Sequence, residues 1–89
     1  MYLQKNMAYR EARKLIIQQG WSPNLQGESP NLRDIPVKEL FDLGYKEIKD
    51  CSGIGEGPCR FKFIKNKGEL LVVVATTRGY ENTKSFVKS

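Results

Sequence analysis

Two cysteines, Cys51 and Cys59, are the only ones in the chain, and they bracket the glycine-rich run Ser52–Pro58. Arg60, Phe61, Lys62 and Phe63 follow at once, alternating cation with aromatic. Residues of these types could make a disulfide, a metal site, a phosphate cradle or a nucleic-acid platform. Each demands a context that can be checked along the chain.

The chain has no histidine. That removes the commonest general base and the commonest transition-metal ligand together. Two thiols then lack the further soft or nitrogen ligands of a zinc site, so neither metal nor cofactor is expected. Cys-His and Ser-His pairs cannot be built. The Ser85–Lys88 spacing of S-x-x-K stands alone and carries no argument. Carboxylates such as Asp34, Glu39 and Asp50 have no visible catalytic partner, so the chain does not read as an enzyme. No motif fixes a biochemical activity.

A phosphate cradle needs a strand before its glycines and a helix N-terminus after them, where aligned amides meet the anion. After Gly53, Gly55 and Gly57 a strand pattern follows instead. These glycines therefore read as a tight loop that uses positive φ. A hairpin joining 46–51 to 59–65 would set Cys51 opposite Cys59. Non-hydrogen-bonded cross-strand pairs have Cα atoms ~4.5 Å apart, at the short end of disulfide geometry. Closing so short a loop contributes roughly 2–3 kcal/mol in the chain-entropy model. A structural disulfide between Cys51 and Cys59 is the favoured reading, and it implies an oxidising compartment. The opening "MYLQKNMAYREARK" has no apolar h-region, which instead reads as cytoplasmic, with both thiols free, unless a leader has been trimmed.

The elements that position these residues come from periodicity. Residues 7–19 predict a helix, with Ala8, Ala12, Leu15 and Ile16 on its apolar stripe, Asn6 as N-cap and Gly20 as stop. Trp21 should fold back on Ile16 and be largely buried. Residues 22–33 read as a loop. A second helix starts at Asp34, with Pro36 in its first turn, Val37, Leu40 and Phe41 inward, and Gly44 at its exit. The period then changes to two. A polar strand is anchored by Ile48, and Cys59, Phe61 and Phe63 share the face opposite Arg60 and Lys62. Residues 66–68 make the turn, and Leu70–Val74 is a central strand with Ala75 after it. Phe86 and Val87 suit a short last strand. The expected fold is α+β: two N-terminal helices packed on one face of a three- to four-stranded antiparallel sheet, in the order α-α-β-β-β with a fourth strand optional. Residues 1–89 form one domain, with 1–6 and 86–89 frayed.

The stretches "ARKLIIQQGWSP", "LGYKEIKDCSGIGEGPCRFKF" and "GELLVVVATT" resemble a family of small bacterial proteins without assigned function. Its pattern is a helix ending in Gly-Trp-x-Pro, a Gly-Tyr exit, and Cys-Ser-Gly-x-Gly-x-Gly-x-Cys-Arg-Phe before a Leu-Val-rich strand. The resemblance spans about residues 8–77; many members of that family are exported, a feature from which this sequence departs. At fold level the element order is also similar to the repeat of the β-lactamase inhibitor protein and to small outer-membrane assembly lipoproteins, an analogy of architecture alone.

Charge completes the reading. The whole net charge of +5 lies beyond residue 57, where Arg60, Lys62, Lys65, Lys67, Arg78, Lys84 and Lys88 face only Glu69 and Glu81. Such a bias favours an acidic partner. No apolar run reaches the ~20 residues that span a bilayer. Two classes of function remain. One is a non-catalytic protein-binding module or inhibitor, using a mixed cationic and apolar sheet face against an acidic protein, with Arg60, Lys62, Lys65, Lys67 and Arg78 as binding residues. The other is a nucleic-acid binder using the basic C-terminal third, since "RFKF" partly matches the base-stacking strand of RNA-recognition sheets.

Overall fold

The computed structural model describes residues 7–52, 58–76 and 87–88. Helix α1 spans Tyr9–Gln18 and helix α2 spans Ile35–Asp42. Between them lies β1, Ser22–Pro23, and after them come β2 (Ile48–Cys51), β3 (Pro58–Ile64), β4 (Leu70–Thr76) and β5 (Val87–Lys88). The chain is α+β with an antiparallel sheet. The sheet runs β1-β3-β4-β5, and β2 also pairs with β3. Because β4 accompanies β3 along its whole length, β2 and β1 share the other edge, opposite Cys59–Phe61 and Phe63–Ile64 respectively.

Both helices stop by the same device. Gly20 has φ +93°, the Gly20 N–H donates to Ile17 O and the Trp21 N–H donates to Ile16 O. Gly44 has φ +110°, with Gly44 N–H to Phe41 O and Tyr45 N–H to Leu40 O. This is the Schellman pattern, in which a left-handed glycine lets two late carbonyls find donors. The starts differ. Asp34 caps α2 through its side chain to Val37 N–H. The N-cap of α1 is Ala8, which offers no side-chain acceptor, rather than Asn6, which lies outside the described residues.

Tyr9, Ala12 and Ile16 of α1 and Val37 and Leu40 of α2 are buried in one cluster with Ile48, Cys59, Phe61, Phe63, Val73 and Ala75. Tyr9 stacks on Phe61 with ring centroids 3.9 Å apart. Burying side chains of this size contributes roughly 1.5–3 kcal/mol each, which is how so short a chain holds its sheet. Trp21, expected to be largely buried, packs against the cluster but is half-buried, with Lys65 Nζ 4.7 Å from its ring centroid.

Two further expectations need correction. The 22–33 loop begins with a strand, since Ser22 pairs with Ile64 and Pro23 with Phe63. Its two residues are too few to give a periodicity, and Pro at a sheet edge costs no ladder bond. The strand expected over residues 46–51 starts at Ile48, because Lys46 and Glu47 form a turn.

Candidate interaction surface

The register of β3 and β4 sorts their side chains into two faces. Cys59, Phe61 and Phe63 pair with Ala75, Val73 and Leu71 on the core side. Arg60, Lys62 and Ile64 pair with Val74, Val72 and Leu70 on the outer side. The trio beside the two cations is therefore Leu70, Val72 and Val74. Leu70 is 69% exposed and Val72 41%. A cleft of about 240 Å³ opens beside them, with Asn24, Gln26, Glu28 and Lys62 on its rim.

Arg60 and Lys62 do not stand as free cations on this face. Arg60 Nε donates to Asp50 Oδ1 at 2.7 Å and its Nη2 to Asp50 Oδ2 at 2.6 Å, a fork-to-carboxylate pair. The same Nη2 reaches Glu28 Oε2 at 2.5 Å, and Lys62 Nζ reaches Glu28 Oε1 at 2.7 Å. Glu28 thus bridges both cations. Hydrogen bonds from Lys62 and then from Arg60 hold its carboxyl below the usual carboxylate range. Asp50, then Glu28, push the Arg60 guanidinium up by accepting its hydrogen bonds.

A bulge in β2 makes the Asp50 contact possible. Ile48 pairs with Phe61 and Asp50 with Arg60, so Lys49 is an extra residue with no opposite number. Without it Ile48 and Asp50 would share a face, because side chains alternate along a strand. With it Ile48 enters the core while Asp50 meets Arg60 outside. Lys49 is left 1% exposed. Burial lowers its amine pKa, partly offset by the nearby charge of Glu28.

The remaining sequence-derived site residues go elsewhere. Lys65 and Lys67 line a second cleft of about 220 Å³ with Gln19, Gly20, Asn66 and Glu69, at the carbonyl end of α1, where cations are favoured electrostatically. Arg78 lies outside the described residues, as do the loop glycines Gly53, Gly55 and Gly57. Cys51 and Cys59 are directly opposed in register, with Cα atoms 3.8 Å apart, and are joined as a disulfide. Of the carboxylates considered for catalysis, Asp34 is occupied as a helix cap and Asp50 by Arg60.

Sequence reading missed the interior polar cluster entirely. Glu47 is fully buried and accepts from Tyr9 Oη at 2.7 Å, Arg13 Nε at 2.7 Å and Arg13 Nη2 at 3.2 Å. Arg13 also lies over the Tyr45 ring, 5.1 Å from its centroid. The i to i+4 spacing of Tyr9 and Arg13 on α1 was the available signal, but nothing local identified Glu47 as their shared acceptor.

No protein-family model, curated protein or solved structure matches this chain. Among the described residues no helix is long and apolar enough to cross a membrane.

Proposed function

We propose that the protein is a non-catalytic binding module or inhibitor that docks an acidic protein on the outer face of its sheet. In this reading the two helices cover the core face and leave the other face for the partner. The observation that carries it is the exposure of Leu70 and Val72 directly beside the Arg60 and Lys62 positions. Aliphatic side chains next to fixed charge make a surface that can bury apolar area and still select for sign. The nucleic-acid reading is weaker, because phosphate binding draws on clustered cations, whereas this face interleaves Arg60 and Lys62 with the carboxylates Glu28 and Asp50 and the aliphatic Leu70 and Val72.

The test is affinity capture from the native host followed by reconstitution with the purified partner. Reversing Arg60 would set three carboxylates together, so the informative variant is Lys62→Glu combined with Leu70→Asp. A folded double variant should lose the partner that the wild type holds. Unchanged affinity would remove this face as the docking site. A parallel salt titration with DNA and RNA should show no steep phosphate-type dependence.

A further inference from the structure

We propose that Glu28 is an internal stand-in for a partner's carboxylate, occupying a carboxylate site built by Lys62 and Arg60 until an acidic side chain displaces it. The inference rests on the docking reading above and names the group recognised: an aspartate or glutamate flanked by an apolar residue.

Three features of this face support it. First, Glu28 is held by its side chain. The loop is tethered at Asn24, whose N–H donates to Lys62 O at 2.9 Å, and at Asn31, whose N–H donates to Lys49 O at 2.8 Å. Between these tethers Gln26, Gly27, Glu28 and Ser29 are exposed, and the Glu28 carboxylate bridges to the sheet. Exposed ion pairs of this kind are individually weak and readily exchanged.

Second, the cations outlast the carboxylate. Arg60 also holds Asp50, through two hydrogen bonds that do not involve Glu28. Among the described residues Lys62 has Glu28 as its ion-pair partner. Lys49 adds a nearby positive charge, attracted to Glu28 and to Glu47 and repelled by Lys62. Withdrawing Glu28 would leave Lys62 without that partner and Arg60 with Asp50. Two cations fixed on one face with a single remaining carboxylate between them favour an anion in that position.

Third, the cleft beside Glu28 has an aliphatic wall at Leu70 and Val72. A carboxylate seated on Lys62 and Arg60 would bring its neighbouring residue against that wall. Recognition would then join charge with aliphatic burial, a combination that free phosphate lacks.

The experiment uses the capped peptide acetyl-Leu-Glu-Leu-amide and its glutamine counterpart, titrated into the full chain and followed by backbone amide shifts. The Glu28→Gln variant should bind the glutamate peptide about tenfold more tightly than the wild type, the scale of one charge-assisted contact no longer contested. Adding Lys62→Gln should abolish the preference for glutamate over glutamine. The Glu28→Ala variant should act in the same direction as Glu28→Gln. Equal affinity in wild type and Glu28→Gln, equal shifts from both peptides, or no binding by either protein would each overturn the proposal. So would selective tightening of a single-stranded oligonucleotide. If peptide binding ignores Glu28 while Lys62→Glu/Leu70→Asp still loses the native partner, this inference fails and the docking reading stands. If that variant retains the partner, the reading fails as well.

Discussion

Glu47 sits between a surface lysine and a buried isoleucine, yet its carboxylate is fully buried and held by a phenol and a guanidinium. Removing the Tyr9 hydroxyl leaves Arg13 as the donor and takes away a bond to a charged acceptor. Tyr9→Phe should therefore cost about 2 kcal/mol in urea denaturation. A loss no larger than that of an exposed Tyr→Phe control would show that the bond contributes nothing. The phenol also has a pH signature. Burial, then the charge of Glu47, raises its pKa well above the ordinary tyrosine value. A raised folded pKa means stability that is present below the unfolded value, about 10, and lost as pH rises past it. Wild type should thus lose stability more steeply than Tyr9→Phe on the alkaline side. Glu28 behaves in the opposite sense. Its lowered carboxyl pKa, set first by Lys62, should move upward in a Lys62→Gln variant when followed by side-chain carbon shifts. An unmoved titration would mean that the Lys62 contact is not formed in solution.

At the level of elements, the two glycine-aromatic exits do the same work at the two helix ends. Gly20 and Gly44 adopt backbone angles that a Cβ makes strained, although space around each is open. Gly20→Ala and Gly44→Ala should therefore each destabilise by about 1 kcal/mol through backbone strain rather than collision. Equal stability of either variant would mean that the stop does not need the left-handed conformation. The bulge at Lys49 is the other element-scale device. It turns one short strand so that consecutive anchors serve both faces, Ile48 inward and Asp50 outward.

For the molecule as a whole, Cys51–Cys59 staples β2 to β3, and β2 carries both the core anchor Ile48 and the outer-face carboxylate Asp50. The joined cysteines are eight residues apart, so replacing both by serine should lower stability by about 2–3 kcal/mol in the chain-entropy model. The sheet should survive, because β4 supports β3 along its full length. Hydrogen exchange should then show faster opening of β2 amides than of β3 and β4. Uniform protection across the three strands would argue that the disulfide does not localise stability.

The amino-acid order by itself determined what depends on near neighbours. Gly20 and Gly44 end helices because the left-handed conformation is local. Cys59, Phe61 and Phe63 share a face because strand geometry alternates, and the one hairpin that opposes the cysteines is the nearest pairing available. The register of β3 with β4 was also nearly implied, since residues 66–68 leave little slack between the strands. Only the tertiary structure decided the rest. Ser22–Pro23 become a strand because Phe63 and Ile64 offer them an edge. Glu28 and Asp50 reach Arg60 from 32 and 10 residues earlier in the chain. Glu47 meets Tyr9 across 38 residues. Such pairings arise when a packed sheet brings distant chain segments within hydrogen-bond reach, and no local pattern encodes them. That is why the cations were legible from the sequence while the carboxylates that occupy them were not.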